Sequence, residues 1–406
     1  LLNVGIDTIA FHTANYVLDL ATLAAARGID PDKFRLGLGQ NQMAVPAPDE
    51  DIVTLAANAA KKALRDVDLE SIEMLLFATE SGIDQSKSAG IYVHQLLGLS
   101  PYCRVLELKQ ACYSATGALQ LALPFLRENP GRKILLIASD IARYGLKTSG
   151  ESSQGCAAVA MVLSVDPRIL TIENGYGVVT EDVMDFWRPA YSNEAFVEGK
   201  YSSRLYLSML EKTWDRYFSL YSRGFCMHQQ FCYHTPVPRL VEKAHKLLTK
   251  INHYPTENTD QAVALSLNYA RKIGNSYTAS LYLALISLLD LSTENLSGQR
   301  VGFYSYGSGS VAEYFSGIIQ PNYQDVLQKE ENKKLLAERI NLSADEYEDF
   351  YNFKYPEDGS ELILPKYLTG HYRLAAIIEH KRMYAHVRHS IENNEVSTSI
   401  PVAKIL

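Results

Sequence analysis

The sequence predicts a layered α/β protein built from a repeated unit, and three observations carry that reading. Apolar β-type runs recur at Ile72–Ala78, Arg104–Leu108, Ile134–Ala138, Ala157–Leu163 and Val301–Tyr304, and helical patterns alternate with them. The runs are continuously apolar rather than alternating, which is the pattern of strands covered on both faces. The third observation is an internal echo. In the first half a strand end leads into Ala-Cys112-Tyr-Ser-Ala-Thr-Gly, a small-residue helix, and a strand at Lys133–Ser139. In the second half Gly-Asn275-Ser-Tyr-Thr-Ala-Ser opens another small-residue helix, followed by a strand at Val301–Tyr306. Small residues let a helix lie close against its neighbours, as a central helix between two sheets must.

The elements follow in order. Helical stretches are expected at Thr54–Leu64, Ala111–Leu126, Tyr206–Tyr221, Pro238–Thr249 and Tyr277–Leu289. After Gln320 the character changes: residues 323–351 are charged and helical in pattern, Pro356–Gly359 is a polar turn, and His371–Met383 is strand-like. The tail from His389 shows little periodicity and is expected to be poorly ordered. The natural division is a first half at residues 1–168 and a second at 169–406.

Composition narrows the function classes. The 406 residues are 47% hydrophobic and 21% charged, the balance of a soluble globular enzyme. With 39 basic against 46 acidic residues and a net charge of −7, nucleic acid is not the expected partner, although a small basic patch for one phosphate-bearing molecule fits. No run approaches the length of a membrane span, and the first residues lack a secretory pattern. The 5 scattered cysteines are odd in number and too few for a disulfide scaffold, which predicts a reducing, cytoplasmic setting.

Several residues can carry chemistry. Cys112 sits where a strand gives way to a helix, and the positive helix end is expected to favour its thiolate and to hold an oxyanion on backbone N–H groups. An inert core cysteine fits the same apolar surroundings. Glu80 ends an apolar strand in Ala-Thr-Glu-Ser-Gly, where desolvation would raise its pKa into the range of a working acid or base. A helix cap or solvated strand end is the plainer reading. His234, in Tyr-His-Thr-Pro-Val-Pro, stands on a loop fixed by two prolines and suits a proton donor or oxyanion partner; a surface histidine is the alternative. Asn275 and Ser308 are plausible hydrogen-bonding groups in motifs that also serve as ordinary caps and turns. No metal-ligand spacing, phosphate loop or complete dinucleotide fingerprint is present.

Together these pieces resemble the 3-hydroxy-3-methylglutaryl-CoA synthases. The resemblance rests on Glu107-Leu-Lys-Gln-Ala-Cys112-Tyr-Ser-Ala-Thr-Gly, Ala78-Thr-Glu80-Ser-Gly-Ile-Asp84, Thr180-Glu-Asp-Val-Met-Asp-Phe-Trp187-Arg-Pro, Tyr233-His234-Thr-Pro, Gly274-Asn275-Ser-Tyr-Thr and Phe303-Tyr-Ser-Tyr-Gly-Ser308-Gly-Ser. They occur in family order across residues 3–385. The resemblance implies a thiolase-like αβαβα five-layered sandwich of two pseudo-duplicated halves, a homodimer, and condensation of acetyl-CoA with acetoacetyl-CoA without a metal or redox cofactor. It implies that Cys112 is acylated, that Glu80 is the acid–base group and that His234 meets the second substrate. Asn275 and Ser308 would position thioester oxygens, and Tyr144 would line the acyl pocket. Lys147 and Thr148 would lie along the pantetheine channel. Arg239 and Lys243 match positions that serve the coenzyme phosphates, whereas Glu242 stands where a lysine is common. Rival readings are a polyketide β-branching synthase acting on acyl groups tethered to an acyl carrier protein, a ketoacyl synthase or thiolase, and a non-catalytic member of the same fold.

Overall fold

The computed structural model describes residues 2–367 and 369–387. The poorly ordered tail expected from His389 lies outside these residues. The core of the molecule is a nine-stranded mixed sheet. Its strands are β1 (Val4–Thr13), β2 (Ile72–Ala78), β3 (Arg104–Leu108), β4 (Lys133–Ala142), β5 (Gly155–Val165), β6 (Leu170–Thr180), β7 (Gln230–Tyr233), β8 (Arg300–Gly307) and β9 (Val311–Ile319). Their spatial order is β7-β8-β9-β6-β1-β5-β4-β2-β3.

That order contains the same motif twice. In the first half β2 runs parallel to β3 and β4, while β5 is antiparallel to both β4 and β1. In the second half β7 runs parallel to β8, while β9 is antiparallel to both β8 and β6. β1 and β6, the opening strands of the halves, meet through Gly5↔Thr171 and Ile6↔Leu170. That antiparallel contact joins the sheets of the two halves edge to edge into the one nine-stranded sheet.

Helices fill three layers around the two sheets. On the outer face of the first, α1 (Ile52–Ala63) packs on β1, β4 and β5. Its start is fixed by a capping box in which Asp51 accepts from Val53 and Thr54 N–H at 3.0 Å and Thr54 Oγ1 accepts from Asp51 N–H at 2.9 Å. Between the sheets run α2 (Ser114–Glu128) and, later in the chain, Ser280–Leu291, the two small-residue helices of the sequence echo. They touch at Thr116 Oγ1 and Tyr282 Oη, 3.0 Å apart. On the far side α3 (Gly199–Tyr221) covers β6, β8 and β9, and α4 (Pro238–Ile251) packs beside it. With Ser280–Leu291 taken as α5, the result is a five-layered thiolase-like sandwich.

The structure departs from the sequence expectation at several elements. β1, β6 and β9 were not legible as apolar runs because Asp7, His12, Glu173, Glu313 and Ser316 interrupt them. Folding supplies partners for the carboxylates, as when Asp7 meets Arg168 at 2.7 Å and Lys133 at 3.0 Å and Glu173 meets Arg300 at 2.7 Å, while both ring nitrogens of buried His12 have no hydrogen-bond partner among the described residues. The charged stretch after Gln320 folds as Lys329–Ala337 and α6 (Ala344–Asn352), separated by a short strand, Ile340–Asn341, that pairs with Tyr16–Asp19. His371–Met383, read as one strand-like stretch, falls within a hairpin of Tyr372–Ile378 and Lys381–His386. Its turn uses Glu379 and His380 at positive φ, a bend that apolar patterning does not signal. Among the described residues no helix is long and apolar enough to cross a membrane.

Candidate active site

The internal duplication places the chemistry-bearing residues in pairs. Glu80 follows the end of β2 and His234 follows the end of β7, the equivalent strand of the other half. Cys112 precedes α2 and Asn275 precedes α5 in the same way.

Cys112 rides on a tight turn. Ser114 Oγ accepts from Gln110 N–H at 2.5 Å and donates to Ala111 O at 2.8 Å, and Ala111 adopts φ 43°. The second half clamps this turn from behind. A Cβ on Gly307 would fall 2.6 Å from Gln110 O and Tyr113 Cβ and 2.7 Å from Tyr113 N, so only glycine lets the end of β8 come this close. Gln110 Nε2 donates to Ser308 O at 3.3 Å, and Tyr113 Oη donates to Glu313 Oε2 at 2.7 Å. Burial pushes the Glu313 carboxyl up to about 7.

The thiol faces a carboxyl. Cys112 Sγ donates to Glu80 Oε1 at 2.8 Å. Burial, with the nearby Asp140 charge, pushes Glu80 up to about 8, against the opposing effects of the Cys112 hydrogen bond and Arg188. Cys112 is itself pushed well above the usual thiol range, by burial first and then by Glu80. Against the expected helix-end thiolate, burial first and then the adjacent Glu80 favour the protonated thiol. A thiol and a carboxyl so placed can exchange one proton within the pocket.

Asp140, at the end of β4, organises the surroundings and was not singled out in the sequence. It is fully buried. Its Oδ1 accepts from Thr79 Oγ1 at 2.8 Å and from Glu80 and Ser81 N–H at 2.9 Å each. Its Oδ2 accepts from Thr278 N–H at 3.1 Å and from the Thr278 hydroxyl. One carboxylate thus ties the Glu80 loop to the segment leading into α5. The available signal was position, since Asp140 and Glu80 both sit at the ends of neighbouring parallel strands.

Aromatic rings wall the space around the thiol. Tyr144, Tyr277 and Phe186 pack with Cys112, with centroids of the three rings 5.7 to 6.4 Å apart in edge-on arrangements. Asn275 is buried and its Oδ1 accepts from Tyr277 N–H at 2.9 Å. Asp185, just before Phe186, accepts from Tyr306 Oη at 2.7 Å and from Gly309 N–H at 3.0 Å, fixing the loop that carries Ser308.

His234 is buried, with its N–H donating to Tyr304 O at 2.8 Å and its ring stacked at 6.5 Å on Tyr306. Nδ1 lies 2.7 Å from Ser280 Oγ, an oxygen that already accepts from Thr235 N–H at 3.1 Å. Donation from Ser280 to Nδ1 satisfies both groups and leaves the proton on Nε2. Burial holds the imidazole at about 3, so it is neutral.

The remaining sequence candidates lie apart from this cluster. Thr148 is exposed and its hydroxyl donates to Gly145 O at 2.6 Å. Lys147 is exposed as well, and so is Lys243. Arg239 is engaged: it donates to Leu36 O at 2.9 and 3.0 Å and pairs with Glu242, which in turn holds Arg271 at 2.6 Å. Among the described residues no group of three or more His, Cys, Asp or Glu side chains is arranged to hold a metal ion.

Two family models match this chain: hydroxymethylglutaryl-coenzyme A synthase N terminal over residues 2–168, and the corresponding C-terminal model over residues 243–361. The chain belongs to the hydroxymethylglutaryl-CoA synthase family. The synthase of Enterococcus faecalis is 42% identical over 353 residues, 86% of this chain and 92% of that one. A solved HMG-CoA synthase complexed with CoA superposes with a TM-score of 0.91 at 40% identity, covering 95% of this chain and 100% of the other. The polyketide biosynthesis 3-hydroxy-3-methylglutaryl-ACP synthase of Bacillus subtilis is 35% identical over 374 residues, 86% of this chain and 88% of that one. The chain is thus an acyl-condensing enzyme by family, and its buried cysteine–carboxyl pair is chemistry such an enzyme can use.

Proposed function

We propose that the enzyme condenses acetyl-CoA with acetoacetyl-CoA and water to give 3-hydroxy-3-methylglutaryl-CoA and free CoA, as in the mevalonate pathway. The observation that carries the reading is the 2.8 Å contact between Cys112 Sγ and Glu80 Oε1 inside an aromatic-walled pocket. Cys112 attacks the acetyl-CoA carbonyl as its proton passes to the ionised form of Glu80, and Glu80 hands that proton to the departing CoA, which leaves as the thiol. Glu80 then takes a proton from the acetyl methyl group, whose acidity the thioester provides. The resulting carbon attacks the ketone of acetoacetyl-CoA, and the proton that Glu80 took passes to the alkoxide formed there. Neutral His234, through Nε2–H, hydrogen-bonds the ketone oxygen as charge develops there. Water cleaves the Cys112 thioester, which returns the thiol and releases product. Asn275 and Ser308 hold thioester oxygens, Tyr144 walls the acyl group, and Thr148, Arg239 and Lys243 contact the coenzyme arm. CoA thioesters are substrates in this scheme, and no metal or redox cofactor takes part.

The same reading extends to a cytoplasmic homodimer, with halves dividing at residues 168 and 169. The five free cysteines suit a reducing compartment.

One observation favours a second reading. Arg239 is neutralised by Glu242 rather than free for a phosphate group, which fits a donor tethered to an acyl carrier protein. The experiment that separates the two follows consumption of acetoacetyl-CoA with and without acetyl-CoA, for the chain and for Cys112→Ser. Loss of acetoacetyl-CoA that needs both substrates and disappears in the variant supports the free-CoA reading. Acetylation of Cys112 only from an acetyl-carrier protein moves the assignment to the second, and silence with both sinks the pair.

A further inference from the structure

The charged stretch after Gln320 has no part in the scheme above, yet its α6 reaches the acyl pocket. Tyr144 N–H donates to Gln154 Oε1 at 2.8 Å. Gln154 is buried, and its amide donates to the hydroxyl of Tyr347 on α6 at 2.7 Å. At the other end of the residue, Tyr144 O accepts from the hydroxyl of Tyr351, also on α6, at 2.6 Å. That hydroxyl lies equally close, 2.6 Å, to Glu194 Oε1, on the segment that follows Phe186. Arg143 completes the join: its guanidinium lies 3.9 Å over the Tyr351 ring and donates to Tyr351 O at 2.5 Å.

Both backbone polar groups of Tyr144 are therefore held from one helix that lies about two hundred positions later in the chain, as the separation of 207 between Tyr351 and Tyr144 records. The ring between those anchors is the one packed on Cys112, Tyr277 and Phe186. The helix has supports of its own. A capping box joins Ser343 and Glu346, and Arg27 bridges Glu348 and Glu151 at 2.7 Å each. Removing one tyrosine hydroxyl therefore leaves α6 anchored while it releases one end of Tyr144.

We propose that α6 positions the wall of the acyl pocket, with Tyr351 and Tyr347 (the latter through Gln154) as positioning residues that fix Tyr144 and so limit the size of the acyl group that Cys112 accepts. The proposal rests on the condensing-enzyme reading given above. A wall free to shift by a fraction of an ångström misaligns the acetyl thioester and admits a longer chain. Small misplacements of this kind are costly in rate, and one methylene is otherwise discriminated by a pocket of fixed size.

The test measures acylation of Cys112 by intact mass after rapid quenching, with acetyl-CoA and with propionyl-CoA, in the full chain, Tyr351→Phe, Tyr347→Phe and Glu348→Gln. Circular dichroism and melting establish that each variant is folded. In both Phe variants acetylation is expected to slow about tenfold. The propionyl-to-acetyl rate ratio is expected to rise by about fivefold or more, with Glu348→Gln unchanged in that ratio. A purely structural role lowers both rates together, so a constant ratio in folded Phe variants overturns the proposal. If Tyr351→Phe does not fold, Tyr347→Phe decides by the same ratio, since it loosens only the Gln154 end. Absence of acylation in the full chain from either CoA thioester sinks the free-CoA reading, a result distinct from a normal full chain with unaltered selectivity in the variants.

Discussion

Replacing Glu80 by Gln is expected to make the enzyme more stable and far less active, and the stability gain has a predictable pH dependence. Burial and Asp140 raise the Glu80 carboxyl from 4.5 to about 8. A carboxyl raised in the folded state binds its proton more tightly there than in the unfolded chain. Its contribution is complete below pH 4.5 and is lost as pH rises through about 8. Relative to a glutamine that never ionises, wild type loses roughly 1.36 kcal/mol per pH unit across that window, or about 3 kcal/mol by pH 7. The side chain is only partly exposed, so solvent screening trims this figure without removing it. The assay is urea unfolding of both proteins at intervals from about pH 5 to 9. The difference should be small at the acid end, grow steadily, and level off above the folded pKa. In parallel, acetylation of Cys112 should slow and overall turnover should fall by about a thousandfold. A stability difference that does not change with pH would refute the argument that Glu80 is held uncharged, whatever happens to activity.

Two further outcomes follow from the same geometry. His234 is held at about 3 by burial, a depressed pKa, so its contribution to stability is present above its ordinary 6.5 and lost as pH falls toward 3; its imidazole resonances should show no titration between about pH 5 and 8, and a midpoint near the ordinary value would contradict the neutral Nε2–H donor. Gly307→Ala places a methyl 2.6 Å from Gln110 O, against backbone rather than a flexible side chain; a drop in Cys112 alkylation by iodoacetamide of about tenfold or more is expected, with the fold retained, and an unaltered rate would show that the turn is not clamped from β8.

What the sequence by itself determined was whatever a local pattern encodes. The continuous apolar run gave β2 to the residue, because a strand covered on both faces needs no polar alternation; β3 kept its expected bounds although it is a half-exposed edge strand. The paired small-residue helices announced the duplication, since only small side chains suit a helix held between two sheets. Cys112 and Glu80, which the fold brings together at 2.8 Å, stood out in the sequence through motif order and position beside a strand end or helix start. Tertiary structure alone decided the rest. In the interrupted strands β1, β6 and β9 distant groups partner Asp7, Glu173 and Glu313, a compensation no window of sequence displays. The protonation of Cys112 was likewise out of reach. The local signal was a helix end favouring the thiolate, and what reverses it is a carboxyl 32 positions away brought to 2.8 Å in a desolvated pocket. Asp140 and α6 matter through hydrogen bonds that span 138 and 207 positions. Electrostatics and hydrogen bonding act through space, and only the folded chain fixes which groups share it.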